Sequence, residues 1–256
     1  MSDSENPVLL NISGGVANVT LNRPRQLNAI NRAMRLAFRE AVETAAADET
    51  VKVVVIRGAG ERAFSSGADL KEIGNRTPMQ RRTVATEEPS AVVRACDKPV
   101  IAAIRGYAFG GGLEIAGACD IRVASDNAVF CFPEINHGWF PAAGGTQFLP
   151  RLVGMGMAME LIFTGRRVSA AEALAMRLVN AVHPDAAFDA AVAELASSIA
   201  SHRVGALVLA KAALRMSERS GSDVGFAYEK ELGALSYTLE GRQEALSAFA
   251  NRKSGN

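Results

Sequence analysis

The sequence predicts an α/β fold in which a strand-strand-helix theme recurs with variation before helices take over toward the end. Three observations carry this. Residues 8–12 and 16–21 are short apolar runs joined by the turn-forming Ser13-Gly14-Gly15, so the chain opens on a β-hairpin. Residues 51–56 form a β-branched run that ends near Gly58, which suggests a strand buried on both faces. From Met155 onward, apolar residues fall mostly at helical spacing and only residues 178–182 look extended.

Taken in order, Asn22-Arg23-Pro24 stops the second strand, because proline removes a ladder donor. Residues 31–47 then set Met34, Phe38, Ala41, Val42 and Ala45 on one helical face, and the strand at 51–56 follows. The theme returns with a strand at 100–104, a helix at 111–118 and strands at 121–124 and 128–130. Residues 158–163, 170–176, 186–201 and 205–215 read as helices, and a last helical block at 226–249 follows Ser220-Gly221-Ser222. The expected division is a core over residues 1–185 and a helical C-terminal region over 186–256.

The 256 residues are 48% hydrophobic and 21% charged, which supplies a core and excludes the composition of a disordered chain. Lys plus Arg (28) nearly balances Asp plus Glu (27) without a run of five like charges, so a nucleic-acid or membrane-surface partner has no electrostatic basis. Cys96, Cys119 and Cys131 are odd in number and lack CxxC spacing, which predicts neither a disulfide framework nor a metal site and fits a reducing cytoplasm. The first residues, Met1-Ser2-Asp3-Ser4-Glu5, lack the basic and apolar regions of a signal peptide, and no run of 18 apolar residues follows. A soluble protein working on a small molecule is the expectation.

Two glycine-containing loops each follow a buried strand. Phe64-Ser65-Ser66-Gly67-Ala68-Asp69-Leu70 has small residues where a ligand can approach the backbone. Gly110-Gly111-Gly112-Leu113-Glu114 opens the helix at 111–118, whose first-turn NH groups lack helical partners and suit a developing negative charge. Together they can pinch one oxygen as an oxyanion hole. Gly58-Ala59-Gly60-Glu61-Arg62-Ala63 has the form of a dinucleotide fingerprint, yet Phe64-Ser65-Ser66-Gly67 is a poor helix start and the ribose-binding acid is missing, so a nicotinamide cofactor is not expected. Glu114 lies among Leu113, Ile115, Ala116 and Ala118, and Glu134 among Phe130, Phe132 and Ile135. A lone acid in such a setting is costly unless it faces a cavity or partner, and its pKa then rises into the range of acid-base catalysis.

The ordered set Asn22-Arg23-Pro24, Leu27-Asn28-Ala29, Phe64-Ser65-Ser66-Gly67-Ala68-Asp69-Leu70, Gly110-Gly111-Gly112-Leu113-Glu114, Pro133-Glu134 and Gly144-Gly145-Thr146-Gln147 resembles the crotonase, or enoyl-CoA hydratase/isomerase, superfamily. Thr164-Gly165-Arg166, Ala170-Ala171-Glu172-Ala173 and Gln243-Glu244-Ala245 extend the resemblance over nearly the whole chain. It implies a spiral of β-β-α turns with a helical region that completes a trimer, commonly paired into a hexamer. It implies an oxyanion hole from the NH groups of Ser66 and Gly111, with Glu114 and Glu134 holding one water between them. Glu114 then acts as base on the water that attacks Cβ, and Glu134 delivers a proton to Cα. Acids at both positions set hydratase-like members apart from many isomerases, hydrolases and dehalogenases of the superfamily.

The same resemblance places the acyl-CoA thioester along Ala29 and Ala68-Asp69-Leu70, with Arg25 and Lys253 able to reach the nucleotide phosphates. CoA is then part of the substrate, and no metal or redox cofactor is implied. One departure is local. The loop reads Trp139-Phe140-Pro141-Ala142-Ala143-Gly144-Gly145, with Ala142 where a glycine helps hold the water, and Trp139 and Phe140 bulky for a stretch that lines the acyl pocket. The alternatives on the same fold are double-bond isomerisation, thioester hydrolysis, carbon-carbon cleavage, and binding of acyl-CoA without turnover.

Overall fold

The hairpin, the spiral and the terminal helices are all present in a computed structural model, which describes residues 6–73 and 88–239. Strands β1 (Val8–Ser13) and β2 (Val16–Leu21) pair antiparallel across Gly14 and Gly15, whose φ of 58° and 81° no β-branched residue would supply. Helix α1 (Arg32–Ala47) is capped by Asn31, whose side-chain oxygen accepts from the Met34 NH at 2.9 Å. It buries the face formed by Met34, Phe38, Ala41, Val42 and Ala45.

The spiral then winds. A first turn is β3 (Val53–Gly58), β4 (Ala63–Ser65) and the short α2 (Leu70–Ile73), with α3 (Pro89–Ala95) after it. The second is β5 (Val100–Ile104), β6 (Tyr107–Phe109) and α4 (Gly111–Ala118). The third is β7 (Ile121–Ser125), β8 (Val129–Cys131), a 3-10 turn at Pro133–His137 and α5 (Gly145–Val153). Then come α6 (Met155–Thr164), β9 (Val168–Ser169), α7 (Ala170–Ala175), β10 (Ala181–His183) and α8 (Asp185–Ala200). Each turn gives its first strand to a six-stranded sheet ordered β1-β2-β3-β5-β7-β10 and its second to a four-stranded sheet ordered β4-β6-β8-β9. Within the spiral, strands pair in parallel, as right-handed crossover connections require.

Burial on both faces explains the β-branched strands. Val54 and Ile56 of β3 join Ala102 and Ile104 of β5 in the main core with α1 and α4. Val53, Val55, Ile101, Ala103 and Val123 face the other way, onto Phe188, Val192, Ala196 and Ala200 of α8. Helix α8 therefore closes the sheet and belongs to the first compact unit, which runs to Ser201. The compact units divide after Ser201, whereas the sequence suggests a division after residue 185. The second unit, from His202, contains α9 (Val204–Ser217) and α10 (Ser222–Ser236) in its described part. Helix α10 starts four residues before the expected block, and the rest of that block beyond 239, with Lys253, lies outside the described residues. Strands β4 and β6 and helices α3 and α5 had no counterpart in the sequence reading.

Candidate active site

Two neighbouring strands of the four-stranded sheet deliver the two loops. β4 runs into Ser66-Gly67-Ala68-Asp69 and β6 into Gly110-Gly111. The first loop is pinned from outside the sheet: the Ile30 NH donates to the Gly67 carbonyl at 2.8 Å, and the Asp69 NH donates to the Ile30 carbonyl at 3.0 Å. This bracket leaves Ala68 between two bonded neighbours, and in extended backbone its own NH points to the opposite side. The Asp69 carboxylate accepts from Arg23 at 3.1 Å, and the same guanidinium donates to the Ala29 carbonyl at 2.6 Å. Buried Asn28 ties the next turn down by donating to the carbonyls of Ala59 and Ala63.

The second loop packs backbone to backbone on the first. A Cβ on Gly111 would stand 3.6 Å from the Ala68 nitrogen, and one on Gly67 would stand 3.1 Å from the Gly111 nitrogen. Among the described residues neither the Ala68 NH nor the Gly111 NH finds an acceptor; the latter is a first-turn NH of α4. Gly67 has φ +90° and its added Cβ would meet the Phe109 carbonyl at 2.7 Å. Gly67→Ala is therefore expected to destabilise the fold by about 2 kcal/mol or more, read as a lower thermal midpoint, because strain and a backbone clash coincide.

Glu114 sits in the first turn of α4, 4% exposed. Its Oε1 accepts from the Ala143 NH at 2.7 Å and the Gly145 NH at 3.0 Å. Burial raises its pKa above the ordinary carboxylate range, and the two amide donors oppose that rise. A carboxylate held by one oxygen in this way keeps the other for a ligand.

Glu134 opens the 3-10 turn after β8, 9% exposed. Its Oε1 lies against Gly110, which has φ +50° and where a Cβ would come within 2.9 Å of that oxygen. Among the described residues its buried Oε2 has no hydrogen-bond partner. Burial first, and then the charge of Glu114, raise its pKa to about 7, so it exists in both protonation states near neutrality. One carboxyl gripped by amides and, among the described residues, a second with an unsatisfied oxygen thus lie in the same part of the fold as two unspent NH groups.

The sequence profile of the Enoyl-CoA hydratase/isomerase family matches residues 11–256. The chain belongs to that family. It is 38% identical to the short-chain-enoyl-CoA hydratase of Clostridium acetobutylicum, over 97% of this chain and 96% of the relative. It is 39% identical to the 2,3-dehydroadipyl-CoA hydratase of Escherichia coli K12, over 92% of each. The crystal structure of an enoyl-CoA hydratase from Bacillus anthracis superposes with a TM-score of 0.92 at 36% identity, covering 96% of both chains.

Against the expectations drawn from the enoyl-CoA hydratase/isomerase family, the structure brings Glu114, Glu134 and Gly111 together and corrects one assignment. The Ser66 NH is spent on the Leu27 carbonyl at 2.9 Å, so the donor that faces Gly111 is Ala68, which the sequence reading had placed only along the CoA path. Ala142, expected where a glycine helps hold the water, has ordinary backbone conformation, so an alanine is unstrained there. Among the described non-glycine residues only Leu27, Asn28 and Arg177 have positive φ, and the gripping amides are those of Ala143 and Gly145. Asp69 is committed to Arg23 and to the Lys71 NH, as an anchor of the loop. Arg25 is exposed on the short turn before Asn28, and Leu70 is exposed at the start of α2. Trp139 stacks on His137 with ring centroids 5.3 Å apart, and Phe140 is 57% exposed. Ala143, Gly145 and Gly110 escaped the sequence reading because a backbone amide, or a missing Cβ, carries no chemical signature of its own; the small-residue run 142–145 was the signal available.

Proposed function

We propose that this enzyme is a hydro-lyase that reversibly adds water across the double bond of a 2-enoyl-CoA thioester. The observation that carries the reading is the unequal support of the two buried carboxyl groups: Glu114 is held by two amides, and Glu134 keeps one oxygen without a partner. In this scheme the thioester carbonyl oxygen accepts from the Ala68 and Gly111 NH groups, which draws electron density from Cβ and stabilises the enolate; single donors of this kind are worth about 10² to 10³ in rate. Glu114 takes a proton from the water as its oxygen bonds to Cβ. Glu134 gives a proton to Cα as the enolate collapses, and its pKa of about 7 suits a group that must both give and regain a proton. No metal or redox cofactor enters, and CoA arrives with the substrate, its phosphates within the reach proposed for Arg25 and Lys253.

The relatives named above are named for different acyl groups, so turnover compared across enoyl-CoA esters of different chain length would fix the acyl specificity. Self-association as a trimer or hexamer is part of the proposal. In the second unit, Leu214, Val224, Phe226, Leu235 and Tyr237 are half or more exposed, more apolar surface than a helix pair of this size ordinarily leaves uncovered. The three cysteines are buried and none forms a disulfide among the described residues, in keeping with a reducing cytoplasm.

Turnover of crotonyl-CoA in oxygen-labelled water tests the chemistry. The expected product is 3-hydroxybutyryl-CoA with solvent oxygen on Cβ and the thioester intact. Migration of the double bond without oxygen uptake, or release of free CoA, would replace hydration with isomerisation or hydrolysis on the same scaffold.

A further inference from the structure

Behind the amides that grip Glu114 stands a hydroxyl that the proposed chemistry does not use. Ser90, in the first turn of α3, is 1% exposed. Its Oγ does not cap its own helix; it crosses to the loop before α5 and donates to the Ala143 carbonyl. That carbonyl belongs to the peptide joining Ala143 to Gly144. The peptides on either side carry the Ala143 NH and the Gly145 NH, the two donors to Glu114 Oε1 at 2.7 and 3.0 Å. Gly144, with φ +120°, has no Cβ to resist rotation of these planes. The hydroxyl therefore restrains the middle of a turn whose two flanking amides must aim at one atom.

We propose that Ser90 is a positioning residue, whose hydroxyl locks the 143–144 peptide so that the amides on either side converge on Glu114. The catalytic consequence rests on the hydratase reading; the restraint itself does not. With the lock removed, the two amides still exist but no longer converge, so Glu114 presents its free oxygen to water in a poorer geometry. Its ionised form also loses support against burial. The other charges facing Glu114 are Glu134 across the site, Glu88 just before α3 and Arg94 on α3, and none of them is altered by a change at Ser90. The thioester contacts lie on the Ala68 and Gly111 side and should be little affected.

The test compares the full-length protein with Ser90→Ala, which removes one oxygen and leaves the volume nearly unchanged, and Ser90→Thr, which restores the hydroxyl. In Ser90→Ala, kcat on crotonyl-CoA should fall about tenfold with KM changed less than about twofold. The Glu114 carboxyl, followed by carbon-13 NMR of glutamate-labelled protein and assigned by its loss in Glu114→Gln, should titrate at higher pH than in the wild type. Ser90→Thr should restore both. A Glu114 titration in Ser90→Ala that matches the wild type overturns the proposal, whatever the rate. If the wild type fails to hydrate any enoyl-CoA, the hydratase reading falls, and the NMR titration still decides the role of Ser90.

Discussion

Glu114→Gln is expected to slow the hydration of crotonyl-CoA by about 10² to 10⁴ while a saturated acyl-CoA binds with nearly unchanged affinity. Gln keeps the shape of the side chain, and its carbonyl oxygen can accept from Ala143 and Gly145 as Glu114 Oε1 does now. The loop and the helix start should hold. The amide nitrogen then faces the water where a lone pair is needed, so only proton removal is lost. Steady-state kinetics with calorimetric binding of butyryl-CoA separates the two quantities. Turnover at the wild-type rate would remove the base role from Glu114; weakened binding in step with the rate would mean that the substitution had disturbed the site as a whole.

Parts of this site were legible in the sequence because they rest on side chains or long periodic runs. Helix α4 has the predicted bounds, and although a lone acid is more often salt-bridged or at the surface, two acids in apolar settings with a glycine loop beside the first point to chemistry. Other parts depend on which backbone groups happen to be spent. Ser66 and Ala68 look equally able to offer an amide, and the choice between them is made by Leu27 and Ile30, which arrive from an earlier loop and take up the Ser66 and Asp69 amides. Strands β4 and β6, three residues each, are too short for any periodicity to register, although they carry both loops. Helix α5 begins on Gly144-Gly145 and contains Pro150, which read locally as breakers. Helix α8 shows its apolar stripe, Phe188, Val192, Ala196 and Ala200, plainly enough, but that stripe does not reveal that a sheet face waits for it.

Glu134→Gln should abolish most of the turnover, again by about 10² to 10⁴, and yet make the protein more stable than the wild type above neutral pH. The activity follows from the loss of an acid that can reach Cα. The stability follows from linkage. The carboxyl has an ordinary value of 4.5 and a folded value of about 7, so between these pH values the folded state binds more protons than the unfolded one. Its contribution is intact below about pH 4.5 and is lost as the pH rises through 7, where a buried charge with an unpartnered Oε2 must be carried. The size of the shift corresponds to about 3 kcal/mol or slightly more. A neutral amide never bears that charge, so the variant's advantage should open with rising pH: smallest at about pH 4, and about 10 °C larger in thermal midpoint at about pH 8. Melts of both proteins across that interval measure it directly. A difference independent of pH would show that Glu134 is not the group destabilised by burial, and its part in the proton transfer would have to be given to another residue.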